Sequence, residues 1–161
     1  MKAYLANGLF GMGDRLLNDL ISSEVRKAIN GIDLYVPQEN AEINDKSQYA
    51  DSITIAKADM DKLRESDVLI AVIDGVEIDS GVAAEIGAFY MMDKPIFALY
   101  TDVRQEGRDN ENKIQALVKD GTENQFAYRN LFVIGLIKAS KGDIYSTVDK
   151  LIEGIKRYLE A

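Results

Sequence analysis

Short apolar segments recur along the chain, with room for a helix between successive ones. Such segments occupy residues 2–7, 32–36, 68–73 and 95–99, and each has the length of a β-strand. The segment at 68–73 is apolar at every position, which is typical of a central parallel strand covered on both faces. A further apolar segment at residues 131–134 predicts a short fifth strand.

Between these segments, apolar residues recur every three or four positions, which predicts amphipathic helices. The first helix begins at about residue 14 and ends at Asn30-Gly31, because glycine favours the left-handed backbone of a helix terminus. Ser47 is placed to cap a second helix, a third covers residues 80–92, and the last covers 144–159. The apolar positions are Leu16, Leu17, Leu20, Ile21 and Val25 in the first helix, Tyr49, Ile53, Ala56, Met60 and Leu63 in the second, and Val148, Leu151, Ile152 and Ile155 in the last.

Strands that alternate with helices over about 160 residues predict an α/β fold. We expect one domain over residues 1–161, built on a doubly wound, mainly parallel five-stranded sheet of flavodoxin-like order 2-1-3-4-5. The polar stretch at 101–112 is expected to be a surface loop. Ligands of such folds bind at the carboxyl ends of the strands, so the segments after residues 7, 36, 73, 99 and 134 are the ones in which to look for a site.

Composition excludes several kinds of chemistry. The chain has no Cys and no His, which removes disulfides, thiolate nucleophiles and the histidine-based catalytic triads. Asp and Glu total 27 against 19 Lys and Arg, a formal net charge of −8, which disfavours nucleic acid and anionic membranes as partners. The chain shows neither a signal-peptide pattern nor an apolar run of roughly 20 residues, so we expect a cytoplasmic protein.

Two carboxylates border the apolar faces of their helices. Glu85 lies three residues after Val82 and four before Phe89, and Asp59 has the same displacement within the second helix. The proximity of Glu85 to a helix N-terminus would favour its ionised form. Spacing alone favours ordinary charges at the edge of the core, with a functional pair as the alternative. Tyr4, in the first strand, is either a core residue or a phenol that reaches a site.

Two further patterns have weak support. The glycines Gly8, Gly11 and Gly13 follow the first strand, but their order does not fit a dinucleotide loop and no Gly-Lys-Ser/Thr follows them. Scattered aspartates could suggest a metal, but they lack ligand spacing and are better explained as solvated charge. These aspartates are Asp45, Asp51, Asp102 and Asp109.

The motif Asp79-x-Gly81-x-x-x-Glu85-x-Gly87 follows the central strand and its Asp74-Gly75 turn. In this context it resembles the nucleophile helix of the nucleoside 2-deoxyribosyltransferase family, and the resemblance spans most of the chain. It implies that Glu85 is the nucleophile, that Asp79 binds the sugar hydroxyls and that Tyr4 orients Glu85.

Other segments resemble the same family. Residues 36–40 resemble the loop that contacts the base, which makes Asn40 a candidate but leaves open which residue from Gln38 to Asn40 makes the contact. Gly8 is expected among the substrate-binding residues. Asp59 matches an acid on the base side. Asn130-Leu131-Phe132 resembles a segment that a neighbouring subunit contributes, so that Asn130 and Phe132 would contact the sugar from a second chain.

The resemblance implies exchange of a 2-deoxyribosyl group between a deoxyribonucleoside and a free nucleobase. Carboxylates suffice for this chemistry, so no cofactor and no metal are expected, and a covalent intermediate would give retention. Asp59 would need a raised pKa in order to protonate the leaving base. By analogy with the family, we expect a homo-oligomer, a hexamer built from dimers, with shared active sites.

Two alternatives stay open. A 2-deoxynucleoside 5′-phosphate N-hydrolase would share the nucleophile helix, and Arg15 beside the glycine loop could serve its phosphate, although Asp79 would repel it. A non-catalytic flavodoxin-like or receiver-like module would treat Glu85 and Asp59 as surface charge. The sequence leaves the choice between purines and pyrimidines open, as well as the rejection of ribose and the extent of hydrolysis.

Overall fold

The computed structural model describes residues 1–41 and 49–161. A parallel sheet of five strands forms the centre of this part of the chain, and its order, β2-β1-β3-β4-β5, confirms the predicted doubly wound sheet. The strands are β1 (Lys2–Ala6), β2 (Asp33–Tyr35), β3 (Val68–Val72), β4 (Ile96–Leu99) and β5 (Ile144–Tyr145).

Helices cover both faces of the sheet. The helices are α1 (Met12–Ala28), α2 (Ser52–Glu65), α3 (Ser80–Tyr90), α4 (Glu111–Lys119), α5 (Leu131–Ala139) and α6 (Val148–Glu160). Residues of α1 and α6 pack on one face, and residues of α2, α3 and α5 pack on the other. Short 3₁₀ turns occupy Pro37–Glu39, Val103–Gln105 and Gly121–Glu123.

The alternation of side chains along β1 decides which residues reach the site. Ala3 and Leu5 face α1 and α6, whereas Tyr4 and Ala6 face α2 and α3. Every residue of β3 is buried, as its continuous apolar run predicts. A buried side chain of Leu or Ile size contributes about 1.5–3 kcal/mol to the free energy of unfolding, so these two strands provide a rigid support.

The prediction of a fifth strand at residues 131–134 is wrong. These residues begin α5, because the Asn130 side chain accepts hydrogen bonds from the backbone N–H groups of Phe132 and Val133 and so caps a helix. The fifth strand is Ile144–Tyr145, which was assigned to the last helix. That helix begins instead at Val148, capped by the Thr147 hydroxyl.

Three further boundaries differ from the predictions. The proposed cap at Ser47 lies outside the described residues, and Asp51 caps α2 by accepting a hydrogen bond from Thr54 N. Tyr49 precedes that helix and is exposed. The predicted loop at 101–112 contains a 3₁₀ turn and the first residues of α4.

The apolar face predicted for α1 is only half buried. Ile21 and Val25 are buried in the core, but Leu16 and Leu20 are 63% and 52% exposed. Within the described residues, none of the helices combines the length and the apolar character that crossing a membrane requires.

Candidate active site

A cavity of about 220 Å³ opens at the carboxyl ends of β1 and β3, where the fold predicts a ligand site. The loop after β1, the turn after β2 and the facing sides of α2 and α3 form its walls. The lining residues are Tyr4, Asn7, Gly8, Leu9, Phe10, Pro37, Ile55, Asp59, Asp79, Gly81, Val82 and Glu85. Five of the eight predicted site residues therefore meet in one cavity: Tyr4, Gly8, Asp59, Asp79 and Glu85.

Glu85 lies on α3 between the buried residues Val82 and Phe89, so the helix packing directs its carboxyl group into the cavity wall. The Tyr4 hydroxyl donates a hydrogen bond of 2.5 Å to Glu85 Oε1. Burial raises the pKa of Glu85 to about 7, the negative charges of Asp59 and Asp79 add to the increase, and the bond from Tyr4 opposes it. The expected influence of the helix N-terminus is thus outweighed by burial.

Tyr4 is fully buried, and it keeps its proton. Burial and the Glu85 carboxylate together raise the pKa of Tyr4 far above its usual value, so the phenol is a permanent hydrogen-bond donor. Its ring packs against the ring of Tyr35, with the centroids 5.3 Å apart. The packed core therefore holds Tyr4 in place, and Tyr4 in turn orients the Glu85 carboxyl group.

Asp59 lies on α2 and lines the same cavity as Glu85. Burial raises the pKa of Asp59, and hydrogen bonding by the Tyr4 hydroxyl partly counteracts this effect. A raised pKa increases the protonated fraction of a carboxyl group near neutral pH. The cavity thus holds two carboxyl groups that are both able to exchange protons with a ligand.

Asp79 has a structural role that its sequence position predicts. It is the N-cap of α3, and its Oδ1 accepts hydrogen bonds from Gly81 N at 2.8 Å and Val82 N at 3.1 Å. These bonds fix the carboxylate at the rim of the cavity. A Cβ at Gly81 would lie 3.1 Å from that oxygen, which explains the small residue beside the cap.

The glycine loop after β1 does not have the form of a phosphate loop. The Asp14 carboxylate lies at the N-terminal end of α1, where a phosphate would otherwise be bound. A Cβ at Gly8 would lie 3.0 Å from this carboxylate, and one at Gly11 would lie 2.7 Å from it. Both glycines therefore allow the loop to pass close to an acidic side chain.

Asn40 is not among the residues that line this cavity. Its Nδ2 donates to the Tyr35 hydroxyl at 3.0 Å, and it lines a separate cavity of about 340 Å³ beside β1 and β2. The neighbouring residues of the same turn are also engaged, since Glu39 pairs with Arg26. Pro37 is the residue of this turn that reaches the candidate site, which the sequence analysis did not identify.

Asn130 and Phe132 also lie apart from the cavity of their own chain. Asn130 caps α5, which packs against α3, and the Phe132 side chain is 74% exposed. Besides Pro37, six lining residues are absent from the predicted site, namely Asn7, Leu9, Phe10, Ile55, Gly81 and Val82. Ile55 precedes Asp59 by one helical turn, so the spacing of α2 could have revealed it.

The lining of the cavity is acidic. Among the residues described, it includes no Lys or Arg, and Arg15 does not line it. Two of the aspartates considered as metal ligands have other roles, because Asp51 caps α2 and Asp102 pairs with Arg104 and Arg129. Asp45 lies outside the described residues, and no group of three potential metal ligands occurs within them.

A sequence model of the nucleoside 2-deoxyribosyltransferase family matches residues 3–120, which include Tyr4, Asp59, Asp79 and Glu85. The chain belongs to this family. Membership supports an enzyme that acts on the N-glycosidic bonds of nucleosides. None of the curated protein sequences matches this chain.

Solved structures share the fold. A conserved protein from Enterococcus faecalis V583 is 47% identical, with 98% of each chain covered and a TM-score of 0.92. A 2-desoxiribosyltransferase from Leishmania mexicana is 16% identical, with 99% of this chain and 97% of that chain covered and a TM-score of 0.62. A Clostridium botulinum CMP N-glycosidase is 19% identical, with 98% of this chain and 99% of that chain covered and a TM-score of 0.53.

Proposed function

We propose that this family member transfers a 2-deoxyribosyl group from a nucleoside to a free nucleobase, with retention, through a covalent intermediate on Glu85. The observation that carries the proposal is the half-buried Glu85 carboxyl group, which a permanently protonated Tyr4 orients within an acidic cavity. Chemistry of this kind needs a positioned carboxylate and an acid, and both are available there.

In the first step, the Glu85 carboxylate attacks C1′ of the sugar and forms a C1′–O ester bond. The C1′–N bond breaks, its electron pair passes to the departing base, and Asp59 supplies the proton that the base takes up. In the second step, a nitrogen of the incoming base attacks C1′, and the electron pair of the C1′–O bond returns to Glu85. Asp59 regains its proton from the incoming base, so the enzyme is restored.

Burial raises the pKa of both Glu85 and Asp59 in the shared cavity, and the proposed roles require that the proton of the pair sits on Asp59 when the nucleoside binds. With a pKa of about 7, Glu85 is ionised in a substantial fraction of molecules near neutral pH, and the bond from Tyr4 stabilises that form. Burial favours the protonated form of Asp59, as a general acid requires. Asp79, fixed at the rim, would accept hydrogen bonds from the sugar hydroxyls.

The acidic lining favours nucleosides over nucleoside 5′-phosphates. A phosphate held near Asp79 would face a carboxylate, without a described Lys or Arg in the lining to compensate. The hydrolase alternative therefore lacks the electrostatic complement that its substrate requires.

A neighbouring subunit is part of the proposal. Asn130 and Phe132 lie outside the cavity of their own chain, and α5 begins with Leu131 and Phe132, both more than 70% exposed. Burial of these side chains against a second copy would stabilise an assembly, which we propose to be a hexamer built from three dimers, with Asn130 and Phe132 completing the neighbour's site. Mixing Asn130→Ala subunits with Glu85→Ala subunits should restore activity, since a hybrid interface holds one intact site. A fully active monomer would exclude this arrangement.

The activity itself is tested by incubation with deoxyinosine and free adenine, with deoxyadenosine followed by chromatography. A 2-fluoro nucleoside should leave a sugar-sized mass on the peptide that contains Glu85 and leave none in Glu85→Ala protein. An adduct on a different peptide, or absence of deoxyadenosine at every enzyme concentration, would refute the proposal.

A further inference from the structure

A chain of side-chain amides joins the loop after β1 to the turn after β2. At its centre is Asn18 of α1, which is only 3% exposed. Its Oδ1 accepts a hydrogen bond from Asn7 Nδ2 at 2.9 Å. Its Nδ2 donates to the carbonyl oxygen of Gly8 at 3.0 Å and to Gln38 Oε1 at 3.1 Å. Both protons of the buried amide nitrogen therefore have acceptors.

Gln38, in the 3₁₀ turn after β2, is fixed in the same way. Its Nε2 donates to Asp19 Oδ1 at 2.7 Å and to the carbonyl oxygen of Arg15 at 3.3 Å. Because an amide has distinct donor and acceptor ends, these partners determine which way both side chains point. The loop that carries Gly8 and the turn that carries Pro37 are thus both held by α1.

These two segments form adjoining walls of the candidate active site. Gly8, Leu9 and Phe10 line it from one loop, and Pro37 lines it from the other, whereas Asn18 and Gln38 do not line it. Gln38 stands in the turn that resembles the base-contacting loop, yet its amide is turned toward α1. Its amide therefore holds the wall in place and does not bind the base.

We propose that Asn18 and Gln38 are positioning residues that set the distance between the two walls around the nucleobase. The inference rests on the proposed function for the identity of that ligand. Glu85 and Tyr4 are held by α3 and β1, independently of this amide chain. Loss of these amide hydrogen bonds should therefore weaken substrate binding and admit water to the cavity, while the bond-breaking step itself is retained.

The variant Asn18→Asp tests this with almost no change of shape. It keeps an acceptor for Asn7, removes both donated bonds and sets a carboxylate against two oxygens. We expect the KM for deoxyinosine to rise about tenfold, as for loss of two buried hydrogen bonds, with kcat within about twofold of wild type and a larger share of hydrolysis. The matched control is Ser22→Ala, on the same helix and equally buried, whose hydroxyl donates only within α1. It should keep the wild-type KM.

Amide hydrogen exchange supplies a readout that needs no substrate. In Asn18→Asp, peptides covering residues 7–11 and 36–40 should exchange at least about tenfold faster, with α6 unchanged. Gln38→Ala removes the less buried of the two amides and should also speed exchange in both segments. It replaces Asn18→Asp as the test if that variant fails to fold. Unchanged exchange in both loops, or a fall in kcat without a rise in KM, would overturn the inference. Faster exchange in a protein whose wild type converts no nucleoside would reject the proposed function alone.

Discussion

Replacement of Glu85 by Gln should stabilise the folded protein by an amount that grows with pH. The pKa of Glu85 is raised from 4.5 to about 7 by burial, whereas Gln is neutral at every pH and still offers Tyr4 an acceptor. A carboxyl group with a raised pKa contributes fully to stability below pH 4.5, and this contribution is lost as the pH rises through 7. The loss is about 1 kcal/mol at pH 5 and about 3 kcal/mol at pH 8.

The measurement is urea unfolding of both proteins at pH 5 and pH 8, followed by circular dichroism at one fixed protein concentration, because the proposed assembly would make the midpoint depend on concentration. The free energy of unfolding of Glu85→Gln should exceed that of the wild type at both pH values, and this difference should be about 2 kcal/mol larger at pH 8 than at pH 5. Asp102→Asn is the control: Arg104 lowers the pKa of Asp102 to about 2, so its carboxyl is ionised throughout this range. An advantage of Glu85→Gln that stays constant, or that falls as the pH rises, would refute the burial argument.

Three further variants separate the proposed roles. Tyr4→Phe removes the bond that lowers the pKa of Glu85, so the rise of kcat/KM with pH should move from about 7 to a more alkaline pH; an unmoved profile would contradict this role. Asp59→Asn should slow nucleosides with poor leaving bases by about 10²–10⁴-fold and activated ones much less, which a series of leaving groups would reveal. Asp79→Ala should raise KM about tenfold for substrates with a 5′-OH and little for 5′-deoxy analogues, with uniform losses counting against sugar binding.

Local periodicity and the direction of parallel strands predicted the α/β sheet, whereas the grouping of Tyr4, Asp59 and Glu85 was predicted by the family resemblance, because spacing alone favoured ordinary charges at the edge of the core. Strand β3 is apolar throughout, and the carboxylate on α3 borders its apolar face, so both features are visible within a few residues. The pKa of Glu85 was not accessible in this way. It depends on how β1 and α2 pack against Glu85, and Tyr4 of β1 is 81 positions away along the chain.

The errors have equally physical causes. The segment that begins with Leu131 is apolar enough for a buried strand, and only the cap formed by Asn130 determines the helix. Asn40 lies in the expected turn, but its side chain bonds the Tyr35 hydroxyl and does not line the cavity, so its contact with the base stays a prediction. Competition among hydrogen-bond partners is decided by three-dimensional neighbours, which a linear pattern does not contain.

The full burial of Tyr4 also bears on how relatives of this enzyme change when catalysis is no longer selected. Tyr4 fills the core between β1 and α3, so its loss would leave a cavity that costs about 3–5 kcal/mol. Loss of the Glu85 carboxylate, by contrast, should make the protein more stable. A lineage drifting away from catalysis would therefore discard Glu85 first and keep Tyr4. In such relatives the tyrosine would report an intact fold, and the glutamate would report the chemistry proposed for it.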